Sequence, residues 1–184
     1  ALESTMQAQP TETHDPHQLR RAWQALLVDE PRLRIRDAAI RLNVREAELR
    51  ASQCGGQSGG QTVRLHDDFR EILLHLPLLG EVMALTRNDS AVHEKVGVYP
   101  RGSFSGPHGL MLGEDIDLRL FMNRWDSAYA ALDGAPPSLH FFDRHGDAVH
   151  KVHLRDASER AEFDRLVEIF RAADQGPLQR VVAA

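Results

Sequence analysis

Between Gly80 and Leu154, apolar and polar residues alternate through one short segment after another. GEVMALTRN, AVHEKVGVY, GLMLGE, IDLRLFMNRW, SAYAAL and SLHFFDRHGDAVHKVHL follow each other through short, turn-rich joints. A parallel neighbour needs a long crossover, usually a helix, and none of these joints has room for one. The strands therefore pair antiparallel. Helical patterns occupy only the flanks, so the chain reads as α+β: an antiparallel β-sheet with helices before it and one helix after it. At 184 residues it suits a single domain with a proper core. No internal repeat is visible.

The opening helix is announced by Asp15-Pro16, an N-cap followed by proline in the first turn, and continues through Leu19, Trp23, Leu26 and Leu27 to Pro31. RIRDAAIRLNVREAELRAS gives two short helical segments around Asn43-Val44. CGGQSGGQ, from Cys54 to Gln61, is a glycine-rich connector. DDFREILLHLP is a further short helix, capped by Asp67 or Asp68. The closing helix should start at Asp156, with Glu159 three residues on, and bury Phe163, Leu166, Val167 and Phe170 before Gly176-Pro177 ends it.

SLHFFDRHGDAVHKVHL holds four histidines, which raises the question of a metal site. Its grammar is that of a hairpin around Asp143-Arg144-His145-Gly146, a type I turn with glycine where a left-handed residue is wanted. Aligning the strands sets His140 near His150 and Phe142 near Ala148. His145 falls in the turn, and His153 faces away from His150 because side chains alternate. Histidines spread over three surfaces do not close one zinc sphere.

Two strand faces can carry chemistry. In IDLRLFMNRW, Ile116, Leu118, Leu120 and Met122 form a core face, while Asp117, Arg119, Phe121 and Asn123 form the other. Arginine beside phenylalanine suits a flat, anionic, aromatic ligand, the guanidinium taking carboxylates and the ring the π-surface. The plainer alternative is an Asp–Arg surface pair with Phe121 covered by a helix. In AVHEKVGVY, Val92, Glu94, Val96 and Val98 share one face, and His93, Lys95 and Tyr99 the other. His and Tyr are iron ligands in haem proteins, whereas a strand histidine is also an ordinary hydrogen-bonded surface residue. The Asn43-Val44 segment has helix-turn-helix spacing, with Arg45 to Ser52 as the recognition helix. Glu46 and Glu48 offset Arg45 and Arg50 there, so a packed helical hairpin competes with DNA binding.

Several classes are excluded or disfavoured. One cysteine rules out an internal disulfide framework and a CxxCH haem attachment. Nucleotide loops, HExxH and an ordered catalytic triad are missing. The polar start ALESTMQAQPTETHDP has neither the basic beginning nor the apolar centre of a secretory signal, and no apolar run approaches a membrane span. A net charge of −5 speaks against general nucleic-acid affinity. A cytoplasmic protein is expected.

LTRNDSAVHEKVGVY, LGEDIDLRLFMNRW and SLHFFDRHGDAVHKVHL, in that order, resemble the HemS/PhuS family of cytoplasmic haem-trafficking proteins. PRLRIRDAAIRLNVREAELRAS resembles the family's N-terminal segment, and the likeness runs from Trp23 to Phe170. Family members are typically twice this length and built from two similar halves. The resemblance thus implies a tail or expression remnant over 1–14, an N-terminal HemS-like half over 15–174, and the start of an inter-repeat linker over 175–184. It implies a haem-binding chaperone that accepts imported haem and passes it to haem oxygenase for iron acquisition. The rival is a haem-degrading enzyme using reductant and oxygen, and a DNA-binding regulator is a third class. Arg119 and Phe121 fall on family positions that face haem. The family's proximal histidine comes from a segment beyond Ala184, so no ligand role is carried over, and His93 stands as the axial candidate within this chain. Partners implied are haem, a cytoplasmic haem oxygenase and a second half, with DNA as the outlier.

Overall fold

The computed structural model describes residues 13–56, 62–87, 91–132 and 136–184. Helix α1 (Pro16–Asp29) begins at Asp15, whose carboxylate accepts the His17 N–H at 2.9 Å. α2 (Ile35–Leu42) and α3 (Glu46–Ala51) are separated by Asn43, which takes the left-handed φ of 54° that ends α2. Leu19, Ile35, Ala38, Ala39 and Leu49 close these three helices on one another.

After β1 (Thr62–Leu65) and α4 (Phe69–His75), the chain runs through eight strands: β2 (Gly80–Arg87), β3 (Val92–Val98), β4 (Ser103–Ser105), β5 (His108–Leu112), β6 (Asp117–Phe121), β7 (Trp125–Ala131), β8 (Ser138–Asp143) and β9 (Ala148–Ser158). It ends on α5 (Arg160–Phe170). All pairings between these strands are antiparallel, as the alternation requires. They form two sheets, a large one in the order β1-β7-β8-β9-β2-β3 and a small one in the order β4-β5-β6. One face of the large sheet is buried under α4, α5 and the small sheet, where Val82, Phe141 and Val152 join one core with Ile72, Phe163 and Met111. The opposite face carries α3, whose Ala47 and Ala51 pack with Tyr129, Phe142 and Ala148. Toward β3 that second face is open, with Val92, Val96 and Val98 all exposed.

The closing helix differs from expectation at both ends. β9 continues through Asp156 to Ser158 because Ser158 pairs with Gly80, donates its hydroxyl to Glu81 O at 2.5 Å and accepts from Arg155 N at 2.7 Å. α5 thus starts at Arg160, and its N-cap Glu159 makes no side-chain cap bond. At its other end the helix stops at Phe170, six residues before Gly176. There Arg171 turns extended and bridges Leu65, and the Ala172 N–H donates to Arg64 O at 2.9 Å. Pairing along β1 outcompetes a further helical turn. The buried stripe itself, Phe163, Leu166, Val167 and Phe170, is as expected.

The hairpin turn also follows its sequence: Gly146 has φ 82° and donates to Asp143 O. Phe142 lies opposite Ala148, but a bulge after it shifts the register by one residue. His140 therefore faces Lys151, and it is Phe141 that faces His150. His150 points into the core, while His140 shares the other face with His153, ring centroids 6.1 Å apart. Nor is His145 in an open turn, since its Nδ1 lies 3.0 Å from Val182 O. The tail from Gln175 onward runs over the sheet, with Gln175 bonded to Arg64 and Gln179 to Tyr129. Cys54 is fully buried beside Tyr129, and burial pushes its thiol up to about 11. Most of the glycine-rich connector and of the N-terminal tail lies outside the described residues.

Candidate functional site

The register of β5 and β6 decides which side chains meet on the small sheet. Met111 and Leu120 turn inward and are buried. Outward, His108 lies opposite Phe121, Leu110 opposite Arg119 and Leu112 opposite Asp117. Phe121 is 54% exposed, so no helix covers it. Among the described residues Arg119 forms no ion pair, which removes the Asp–Arg surface pair as its explanation. With Leu110 and Leu112 also exposed on this side of the sheet, Phe121 and Arg119 belong to a contiguous face that is apolar and cationic together, the kind of patch that marks a binding surface.

Arg119 and Phe121 open onto a cleft of about 860 Å³. Its walls come from α2 and α3, from the β2–β3 hairpin end, and from the β6–β7 and β8–β9 junctions. Arg36, Arg45, Arg87 and Arg124 join Arg119 around it, against Glu46, Asp143 and Asp147. Glu46 is taken up by Lys151 at 2.5 Å and Asp147 by Arg45 at 3.4 Å, so the remaining charge is mainly positive. Ile40 and Val92 add exposed apolar surface to the same walls. The cleft suits an anionic ligand with a large apolar body.

One wall rests on a buried polar network. Trp125 lines the cleft and stacks on His150, centroids 6.0 Å apart and 21° between planes. His150 Nε2 lies 2.5 Å from the Tyr99 hydroxyl, and its Nδ1 lies 3.0 Å from Thr86 Oγ1. A neutral imidazole satisfies both, one nitrogen donating and the other accepting. Burial pushes His150 down to about 4 and raises Tyr99 well above the ordinary phenol range. Burial also holds His140 well below its usual value, with Arg50, Lys151 and His153 adding to the effect. The sequence reading missed this network, since only the unforeseen bulge turns His150 inward. The basic rim was missed as well. Its arginines come from five separate segments and carry no local signature.

His93 is exposed on β3, opposite Thr86 in the register. It belongs to the large sheet and is not among the residues lining the cleft, although its neighbour Val92 is. The helix-turn-helix reading loses its recognition helix: Glu46, Ala47, Glu48, Leu49 and Ala51 of α3 are all buried. Glu48 bonds back to Arg45 N at 2.9 Å and Glu46 holds Lys151, so the acidic residues that diluted the helix's charge are packing contacts. No face of α3 is free for a DNA groove. Among the described residues, no group of three His, Cys, Asp or Glu side chains is placed to hold a metal ion, and no helix is long and apolar enough to cross a membrane.

Known proteins share this fold. The crystal structure of apo-PhuS, a heme-binding protein from Pseudomonas aeruginosa, superposes with a TM-score of 0.85 at 42% identity, covering 92% of this chain and 49% of that one. ChuS, described as an E. coli heme oxygenase, gives 0.75 at 34% identity over 90% of this chain and 49% of its own. In sequence, the hemin transport protein HmuS of Yersinia pestis is 38% identical over 149 residues, which are 78% of this chain and 42% of that protein. The chain thus spans about half the length of these relatives. The pattern of the haemin-degrading HemS.ChuX domain matches residues 43–170, from the αL turn after α2 to the last residue of α5. With sequence and fold in agreement, this chain belongs to the HemS/ChuX family.

Proposed function

We propose that this chain binds haem at the Arg119–Phe121 face and serves as one half of a cytoplasmic carrier that receives imported haem. The observation that carries this is the exposed Phe121 ring beside an Arg119 without an ion pair among the described residues, both opening onto one basic cleft. Haem is flat and apolar with two carboxylates at one edge. Phe121, Leu110 and Leu112 offer it a surface to lie on, and Arg119 offers a planar fork for a propionate. When bound, haem supplies an iron that takes axial ligands, while this chain's part is to hold the ring, pair its charge and limit access of water. The similarity to a heme-binding protein and to a hemin transport protein supports a carrier. A cytoplasmic haem oxygenase is the receiver we infer, with a second half of like fold completing the carrier.

Haem degradation by the chain itself is the second reading, favoured by the 34% identity to ChuS. Titration with haem separates binding from no binding: a Soret band should grow to saturation while tryptophan emission falls, because Trp125 lines the cleft. A linear, unsaturable response would contradict a site. Adding reductant and oxygen with catalase present then tests degradation. A carrier leaves the porphyrin intact, and an enzyme yields an opened tetrapyrrole.

A further inference from the structure

We propose that Trp125, His150 and Tyr99 form a relay that carries an oxidising equivalent out of the cleft, an inference that rests on the haem-binding reading above for the source of that equivalent. Trp125 is half-buried and lines the cleft. Its ring stacks on His150 inside the core, centroids 6.0 Å apart with 21° between the planes. Nε2 of that imidazole lies 2.5 Å from the hydroxyl of Tyr99, which is only 1% exposed. An oxidisable indole on the cleft wall thus connects, through two contacts in series, to a buried phenol. That phenol touches a base within the reach that proton transfer requires.

Electrons and protons balance within the chain. The oxidant is a peroxide, reduced to water at the bound haem, and each electron it draws here comes from the Trp125 indole. Tyr99 refills that hole with one electron and releases its hydroxyl proton to His150 Nε2. Trp125 returns to its resting state, leaving a neutral tyrosyl radical and an imidazolium, and the porphyrin is spared. The phenol is the more acidic of the two hydroxyls on His150. It therefore donates to Nε2, while Nδ1–H donates to Thr86 Oγ1 at 3.0 Å. Burial, which pushes His150 down to about 4, keeps the imidazole neutral and able to accept. It does not block the transfer, because a phenol that has lost an electron is a far stronger acid than an imidazolium. Tyr129, the other tyrosine, lacks these features. Its hydroxyl donates to the Gln179 amide oxygen, which takes no proton, and the Arg64 guanidinium lies 5.1 Å from its ring centre and opposes positive charge there.

Pulse radiolysis with azide radicals tests the relay on the ligand-free chain, because at neutral pH these radicals take an electron from indoles. In the parent, part of the indolyl absorption should decay with matching growth of tyrosyl absorption, at a rate independent of protein concentration. That growth should be lost in Tyr99→Phe, which keeps the ring in place, and in Trp125→Phe, and it should be retained in Tyr129→Phe. Growth that survives Tyr99→Phe, or none in the parent, overturns the relay. Haem-loaded protein with added hydrogen peroxide then tests its use. Tyr99→Phe should lose the parent's tyrosyl electron-spin signal and bleach its Soret band several-fold faster. Equal signal and equal bleaching in the two overturn the cleft as the source. A chain that takes up no haem overturns the haem-binding reading and that source with it, while the radiolysis still decides the transfer from Tyr99 to Trp125.

Discussion

Between pH 7 and pH 4 the fold should lose on the order of 3 kcal/mol of stability through His150 alone. In the unfolded chain this imidazole titrates near 6.5, and in the core burial pushes it down to about 4. Between those values the unfolded state binds a proton that the folded state refuses. The stabilising contribution is therefore complete above about pH 6.5 and is lost progressively as the pH falls toward 4. His140, held low for the same reason, acts in the same direction. Urea denaturation at a series of pH values measures the total, and the His150 ring resonances in the folded protein isolate the group. A His150 midpoint near 6.5 in the native state would contradict the burial argument. The effect reaches the cleft as well, because the Trp125 wall stacks on this imidazole.

Replacing Arg119 with alanine should weaken haem binding by about 1–3 kcal/mol, the usual worth of a charge-assisted contact. Arg119 is exposed on its strand and forms no ion pair among the described residues, so its removal leaves no buried partner stranded. The melting temperature should stay where it is, and the loss should appear in affinity only. Lysine at the same position should recover part of the affinity, since it restores charge without the planar fork. Equilibrium titration of the three proteins at one salt concentration reads the series. Equal affinity across all three would remove Arg119 from the site.

The strand-rich middle was legible because alternation is a local signal: each of the six segments from Gly80 to Leu154 contributes to the antiparallel sheets. The helix start at Asp15 and a second at Asp67 or Asp68, of which the structure takes Asp68, were legible for the same reason, since a cap lies within three residues of the N–H it serves. The end of α5 was not. Phe170 is the last helical residue because β1, about a hundred residues earlier, offers Arg171 and Ala172 a backbone partner. The bulge that separates His140 from His150 likewise leaves no mark in a run of strand-favouring residues. On the site, the alternation in IDLRLFMNRW was enough to put Arg119 and Phe121 on one outward face. The division into two sheets was not visible, and it sets His93 apart from that face and His108 beside Phe121. The same limit applies to the helix-turn-helix pattern, where spacing was read correctly and burial could not be.

The most direct test of the central claim is where a porphyrin lies on the protein. Iron-free protoporphyrin, titrated into isotope-labelled chain and followed by amide chemical shifts, reports contact without the complication of stray histidine ligation. The account predicts that the largest shifts fall on His108–Leu112 and Asp117–Phe121, extend to Trp125, and shrink when Arg119 or Phe121 is replaced by alanine. Shifts centred instead on Val92, Val96 and Val98 of β3, and indifferent to those replacements, would contradict it.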